Sequence, residues 1–138
     1  MVPDVNVLVA AFRPGHVHHP GAQAWLRDIR RECAAGSASV MLISIVVAGF
    51  LRLATNPRVF TPPDRPELAV AFIDALLATP GIALRDGDAW PLLRSKLLAL
   101  NLRGNDVNDA WIAAATEAAP EQLVTFDRDL RACLLPLT

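Results

Sequence analysis

Short apolar segments alternate with longer helical patterns along this chain of 138 residues. The segments at 40–43, 82–84 and 122–126 have the length and composition of buried strands, and a fourth lies at the N-terminus. Between them, apolar residues recur at the three- and four-residue spacing of helices. The alternation predicts a three-layer α/β/α sandwich with a central, mainly parallel sheet of four to five short strands.

The first segment, MVPDVNVLVAAF, is compatible with two structures. Strand propensity alone continues a buried strand through residues 5–9. Alternatively, a very short strand ends at Asp4, and Asn6 caps a turn of helix that runs through Ala11. In both cases an acidic side chain lies among apolar residues, and it needs partners because burying a lone charge is costly.

The composition restricts the class of protein. With 53% hydrophobic residues, the chain is predicted to fold as one domain over 1–138. The most apolar run, 40–51, is too short to cross a bilayer, and no basic residue of a signal peptide precedes Arg13. Cys33 and Cys133 lack metal-ligand spacing and are predicted to be buried thiols in a reducing cytoplasm.

One stretch concentrates the acidic residues. The segment GNDVNDAWIAAATEAAPEQLVTFDRD contains Asp106, Asp109, Asp127 and Asp129. Its Ala-rich part predicts a helix that Pro120 ends, followed by the last strand. If this helix packs antiparallel to the strand, Asp109 lies next to Asp127 at one edge of the sheet, where ligands bind in open α/β folds. Taken singly, each acid also fits a helix start or a turn.

Carboxylates from separate elements that meet at a sheet edge suit a hard divalent cation. Mg²⁺ prefers oxygen ligands, and it can polarise a phosphoryl oxygen and generate a hydroxide nucleophile. Asp4, Asp109 and Asp127 are the candidate ligands or water-orienting bases. No His or Cys lies among them, which disfavours a zinc hydrolase. The chain also lacks the GxxxxGK[ST], GxGxxG and GxSxG motifs of nucleotide-binding proteins and serine hydrolases.

Three histidines, His16, His18 and His19, lie in the loop at 13–20. A zinc site there is conceivable, but no Cys or fourth ligand is near. A role in the loop or at the start of the next helix is therefore favoured.

Five segments of this chain together resemble PIN-domain proteins, and specifically the VapC-type toxins of prokaryotic toxin–antitoxin pairs. The segments are PDVNVLVAAFR, HH…AWL, GFLRLATNPRVF, NDAWIAAAT and LVTFDRDL. The resemblance implies a small PIN-like α/β/α domain with Mg²⁺- or Mn²⁺-dependent endoribonuclease activity that hydrolyses RNA phosphodiester bonds. It also implies a homodimer and a cognate VapB-type antitoxin whose C-terminal segment lies over the active-site groove.

The same resemblance assigns roles to individual residues. The first acid of the family falls on Asp4 with its adjacent polar residue on Asn6, the acid of the late helix on Asp109, and the final acid on Asp127 with Asp129 as its neighbour. The family usually has a glutamate in the helix after the second strand, where this chain has Gly49. This departure supports an alternative, a catalytically weak or inactive module that binds RNA or antitoxin. Asp106, one turn before Asp109, is a candidate to compensate.

The basic residues are almost entirely arginine, since Lys96 is the only lysine among thirteen basic side chains. Arginine suits bidentate contacts with phosphate. The candidates for RNA binding are Arg13, Arg52, Arg103 and Arg128. With a net charge of −1 the chain has no overall positive field, so RNA binding requires these side chains to gather around the acidic residues.

Overall fold

The computed structural model describes residues 1–119 and 121–127. Strands and helices alternate as predicted, in the order β1 (Val2–Pro3), α1 (Val5–Phe12), α2 (His19–Ala34), β2 (Val40–Leu42), α3 (Ser44–Ala54), α4 (Pro66–Leu77), β3 (Ile82–Leu84), α5 (Trp90–Leu100), α6 (Asp106–Ala118) and β4 (Leu123–Val124). The α/β architecture with short parallel strands is confirmed. Arg128, Asp129 and Cys133, named above, lie outside the described residues.

The strands form two parallel pairs that lie side by side. β1 pairs with β4, and β2 pairs with β3. A backbone hydrogen bond of 2.8 Å from the amide of Met41 to the carbonyl of Met1 joins β2 to β1, so the spatial order is β3–β2–β1–β4. Asp4, Ile43, Arg85 and Thr125 follow these strands. The edge of the sheet where they lie is called the carboxyl edge below.

The first segment forms the short strand and the helix, and the strand through 5–9 is wrong. Asp4 has extended backbone angles (φ −79°, ψ 165°) and is itself the N-cap of α1, whereas Asn6 lies inside the first turn. The helix buries Val7, Leu8 and Val9. Tertiary packing on α2 and α3 thus overrides the strand propensity of the valines.

Helices α1 and α3 approach each other closely. Phe12, Phe50 and Phe72 form a cluster with ring centroids 5.2–5.4 Å apart, which joins α1, α3 and α4. A Cβ atom on Gly49 would lie 2.9 Å from Cγ2 of Val5. A side chain at position 49 would therefore require Val5, the residue that follows Asp4, to shift, and glycine favours this close crossing.

Two polar contacts fix the second half of the chain. The buried Lys96 on α5 donates to Glu117 on α6 with an Nζ–Oε1 distance of 2.8 Å. In the loop after β3, Asp86 accepts hydrogen bonds from the amide and the hydroxyl of Ser44, at 2.8 and 2.7 Å. A carboxylate from another loop thus satisfies the first amide of α3.

Within the part of the chain that the structure describes, Cys33 is a buried free thiol, as predicted. Across the part of the chain that the structure describes, no helix is long and apolar enough to cross a membrane.

Candidate active site

A cleft of about 590 Å³ opens at the carboxyl edge, beside β1 and β4. The three acids singled out by the sequence, Asp4, Asp109 and Asp127, all line it. They come from the end of β1, the first turn of α6 and the loop after β4. We call this cavity the acidic cleft. The fold therefore brings together residues that are more than one hundred positions apart in the sequence.

Two helix faces form the walls of the acidic cleft. From α3, the residues at helical spacing are Ile45, Ala48, Gly49 and Arg52. From α6, they are Asn105, Asn108, Asp109 and Ile112, with Asn105 as the N-cap residue. Both sets follow the i, i+3, i+4, i+7 pattern, so each presents one continuous face to the cavity.

Asp4 lies at the floor of the cleft and is only 6% exposed. One carboxylate oxygen accepts a hydrogen bond from the amide of Val5 at 2.6 Å, and the other accepts one from the hydroxyl of Thr125 at 2.8 Å. The Thr125 oxygen in turn accepts from the amide of Asp127 at 2.9 Å. Thr125 therefore holds the first and the last acid of the cleft in a fixed relation.

The electrostatics of the cleft favour a bound cation. Burial, with a contribution from the neighbouring charge of Asp127, raises the pKa of Asp4 above its ordinary value, although the hydrogen bonds from Thr125 and Val5 oppose the shift. Asp109 and Asp127 are half-buried in the same cleft. A positive charge would offset the repulsion between carboxylates at low local dielectric.

Asn6 provides a separate test of whether a metal fits. Its side-chain oxygen is buried and, among the described residues, has no hydrogen-bond donor. A buried oxygen without a donor is unfavourable unless something absent from the protein itself, such as a cation or its water, satisfies it. A neutral oxygen beside carboxylates is a donor set that suits Mg²⁺ or Mn²⁺.

Within residues 1–119 and 121–127, no three acidic, His or Cys side chains converge closely enough to hold a metal by themselves. Mg²⁺ does not require such a group, since it commonly takes one or two carboxylates and completes its shell with water and substrate phosphate. The acidic cleft thus fits a hydrated cation better than a fully enclosed one.

Asp106 does not take part in the cleft. It is exposed and absent from the lining, because α6 turns it away from the face formed by Asn105, Asn108 and Asp109. The proposed compensation for Gly49 by this residue has no geometric support. Asn105 and Asn108 are not among the predicted site residues, although their spacing relative to Asp109 places all three on one face.

The candidate RNA contacts differ in position. Arg52 lines the acidic cleft and is exposed. Arg103 is exposed but lies outside the lining. Arg13 forms an ion pair with Asp64, and its guanidinium lies 3.8 Å from the ring centroid of Phe60. Arg13 therefore fixes the end of α1 to the loop between α3 and α4, away from the cleft.

The histidine loop has a structural role. His19 lies with Nδ1 2.7 Å from the carbonyl oxygen of Ala10, and Nδ1 of His16 accepts from the amide of His18. The ring of His18 stacks on Phe126 at 4.3 Å between centroids. These contacts join the loop before α2 to α1 and to the segment that precedes Asp127, which agrees with the loop interpretation.

The fold is a parallel α/β domain with an acidic cleft at the carboxyl edge. Comparison with known proteins identifies the family that has this fold. The model of the PIN domain matches residues 1–133 of this chain. Ribonuclease VapC43 of Mycobacterium tuberculosis is 40% identical over 113 residues, which are 80% of this chain and 74% of that protein. The chain therefore belongs to the PIN-domain family, among proteins similar to VapC.

Solved structures agree on the fold. The crystal structure of M. tuberculosis VapC20, described as a toxin that cleaves the sarcin–ricin loop, has a TM-score of 0.65 at 19% identity and covers 95% of this chain and 92% of its own. VapBC2 of Rickettsia felis, crystallised with a DNA fragment from its promoter, has a TM-score of 0.64 at 20% identity and covers 96% of this chain and 91% of its own.

Proposed function

We propose that this protein is a divalent-metal-dependent endoribonuclease and the toxin of a toxin–antitoxin pair. Its similarity to VapC ribonucleases supports the nuclease activity. The observation that carries the proposal is the gathering of Asp4, Asp109 and Asp127 in one cleft with the unsatisfied oxygen of Asn6. This donor set suits Mg²⁺ or Mn²⁺.

The residues of the cleft take distinct roles in this reaction. When bound, a divalent cation polarises the phosphodiester and lowers the pKa of a water molecule. Asp4, Asp109 and Asp127 would hold the cation together with its water shell, and Asn6 would contribute the neutral oxygen. Thr125 keeps Asp4 and Asp127 in register through its two hydrogen bonds. A carboxylate not engaged with the cation can accept the proton of the attacking water.

Arg52 is the proposed phosphate contact. It lies on the α3 wall of the acidic cleft, one turn after Gly49. Its guanidinium carries the positive charge nearest in sequence to that position, where the family usually has a glutamate. RNA phosphates approaching an acidic cavity need such a charge, because the carboxylates alone repel them. We include Arg103 as a peripheral contact and leave out Arg13, whose charge is already paired with Asp64.

The alternative of an inactive binding module rests on Gly49. In this fold Gly49 lets α1 and α3 pack closely, since any side chain there meets Val5. The absence of a carboxylate at position 49 thus has a packing reason that leaves the other three acids in the cleft. We therefore favour an active enzyme with fewer metal-binding oxygens and weaker metal affinity.

We propose the partners on the same basis. The R. felis neighbour is a VapBC assembly, which supports a VapB-type antitoxin for this chain. The second half of α5 exposes Leu98 and Leu100, which provides apolar surface for a homodimer. Because the proposed substrate is RNA, we propose a cytoplasmic location. The single domain over 1–138 remains a prediction.

Cleavage of a structured RNA by the purified protein tests the proposal. With Mg²⁺ or Mn²⁺ present, we expect internal cleavage of the RNA, and no cleavage after a chelator has removed the metal. Asp109→Asn should lower the rate by about two orders of magnitude or more, because a charge that stabilises the transition state is lost.

Asp74→Asn is the matched control, since it removes the same charge from an exposed position on α4. It should cleave at the unchanged rate. Equal activity of the Asp109→Asn variant would show that the cleft is not the active site, and metal-independent cleavage would refute the role of the cation.

A further inference from the structure

A second cavity, of about 600 Å³, lies at the carboxyl edge beside β2 and β3. Two indole side chains line it: Trp90, which is 61% exposed, and Trp111, which is 46% exposed. Ser44, Asp86 and Asp88 supply its polar side chains. We call it the tryptophan pocket. Large aromatic side chains that line a pocket yet stay exposed provide faces on which a planar ligand can stack.

The tryptophan pocket adjoins the acidic cleft. Ile45, on α3, lines both cavities. On α6, Asp109 faces the cleft and Trp111, two residues later, faces the pocket. A nucleotide chain that places a phosphate in the cleft therefore has an adjacent place for one of its bases.

Asp86 provides a fixed hydrogen-bond acceptor in the pocket. Ser44 donates to both of its oxygens, from the amide at 2.8 Å and from the hydroxyl at 2.7 Å, which fixes the plane of the carboxylate. The same hydrogen bonds lower the pKa of Asp86, so it stays ionised at neutral pH. Each carboxylate oxygen retains a second acceptor site for a ligand.

We propose that the tryptophan pocket binds an unpaired guanine base of the RNA substrate, next to the phosphate that is cleaved. The indoles of Trp90 and Trp111 stack on the base, and Asp86 accepts hydrogen bonds from its N1–H and 2-amino groups. Stacking on aromatic side chains is how proteins usually hold single-stranded RNA bases. The assignment rests on the proposed ribonuclease function and adds a base preference to it.

The chemistry of the pocket selects the ligand. Guanine presents two adjacent donors on one edge, which match the two oxygens of a carboxylate, whereas adenine and cytosine present one amino group and uracil places carbonyl oxygens beside its single donor. Among the described residues that line the pocket none is basic, and Asp86 and Asp88 repel phosphate. The base therefore enters the pocket and the phosphate stays in the cleft near Arg52.

Tryptophan fluorescence of the full chain tests this without any cleavage. We expect guanosine monophosphate, added without divalent metal, to quench the emission saturably, at concentrations roughly tenfold or more below those needed for uridine monophosphate. Asp86→Asn should reduce this preference by a similar factor, because an amide replaces one acceptor with a donor. Trp111→Phe should reduce the quench itself.

Two variants serve as controls. Asp74→Asn removes an equal charge on α4 and should leave the guanosine preference unchanged. Trp25→Phe removes the one tryptophan that lies on α2 and outside the pocket, so the quench should remain. We also expect the monophosphates of adenosine and cytidine to quench less than that of guanosine, and that of uridine to quench least.

Three results would overturn the subsite. The first is an equal response to all four nucleotides, and the second is a guanosine preference that survives Asp86→Asn. The third is emission that ignores nucleotides but shifts with protein concentration, which would show that a second copy of the chain covers the pocket. RNA cleavage without guanosine quenching rejects the subsite alone. Quenching without cleavage rejects the nuclease and leaves a nucleotide site.

Discussion

Asp4 and Asp86 occupy equivalent places in the fold and have opposite electrostatic properties. Each follows a parallel strand at the carboxyl edge, and each accepts hydrogen bonds at both carboxylate oxygens. Asp4 is buried, and its pKa is raised chiefly by that burial. Asp86 is exposed, and the hydrogen bonds from Ser44 lower its pKa.

The difference shows what a carboxylate at this edge is suited for. A desolvated acid beside a second acid stores unfavourable charge that a cation can relieve, so Asp4 suits a metal. An exposed acid with fixed donors is a stable anion that can receive hydrogen bonds from a ligand, as proposed for Asp86. Topology places both residues, and their neighbours decide their chemistry.

Asp4→Asn gives the largest effect expected from this comparison. Without metal, the variant should be more stable than the wild type at neutral pH by a few degrees in Tm, because a buried charge is removed. With divalent metal at about one hundred times Kd, the wild type should gain about 2.7 kcal/mol, and the variant much less. Thermal unfolding with and without Mn²⁺ measures both.

The pH dependence of the metal-free proteins separates charge from packing. The raised pKa of Asp4 means that its stabilising contribution is fully present below its ordinary value of 3.8 and is lost as the pH rises through the folded-state pKa. The advantage of Asp4→Asn should therefore disappear as the pH falls toward 4. An advantage that persists at all pH values would refute the role of desolvation.

Thr125→Val tests how the cleft acids are held together. The change removes the hydroxyl that donates to Asp4 and accepts from the amide of Asp127. We expect cleavage to fall roughly 10- to 100-fold. The acidic limb of the pH–rate profile should also move to higher pH, because the lost hydrogen bond lowered the pKa of Asp4.

The matched control is Thr116→Val, which removes a buried hydroxyl that bonds only the carbonyl of Ile112 within α6, according to the contacts that the structure describes. Its pH–rate profile should keep the wild-type limb. A rate loss in the Thr125→Val variant without a shift of that limb would mean that Thr125 acts on folding alone.

Much of the fold follows from local patterns. The apolar residues at helical spacing and the turn at Gly36, whose φ is +79°, are short-range features, and the helix over His19–Ala34 ends two residues before that glycine. The segment after Asp4 was undecided, because its valines favour a strand locally and only packing against α2 and α3 selects the helix. Partners distant in sequence are invisible to propensity.

The candidate site was predictable in part. Parallel topology alone places Asp4 and Asp127 at one edge, so both could be singled out before the fold was known. The link through Thr125 and the pairing of Arg13 with Asp64 could not, since each joins residues fifty or more positions apart. Nor could the exposure of Trp90, which depends on the side of α5 that carries it facing the tryptophan pocket.

Gly49 and Val5 can be tested as a pair. The test concerns how closely α1 packs against α3 beside the acidic cleft. Gly49→Ala places a methyl group 2.9 Å from Cγ2 of Val5, and such overpacking costs typically about 1–3 kcal/mol. It also gains about 1 kcal/mol of helix propensity. We expect a net loss of stability in the single variant.

Val5→Ala removes the opposing methyl groups, so Gly49→Ala made in that background should be neutral or stabilising. Chemical denaturation of the four proteins gives the coupling free energy. Additive effects would mean that α1 and α3 do not meet at this point. That result would refute the packing explanation of Gly49.

Ser44→Ala should give the smallest effect and concerns the other side of the comparison. It removes the hydroxyl donor to Asp86 and leaves the backbone donor in place. Because Asp86 is exposed, the loss of stability at neutral pH should be only a few tenths of a kcal/mol.

The lowered pKa of Asp86 means that this contribution is present above the ordinary value of 3.8 and is lost as the pH falls through the folded-state pKa. Wild type and variant should therefore converge in strong acid, whereas Ser95→Ala, whose hydroxyl bonds the carbonyl of Pro91, should change stability equally at every pH. A pH-independent loss in Ser44→Ala would show that Ser44 stabilises α3 without acting on the charge of Asp86.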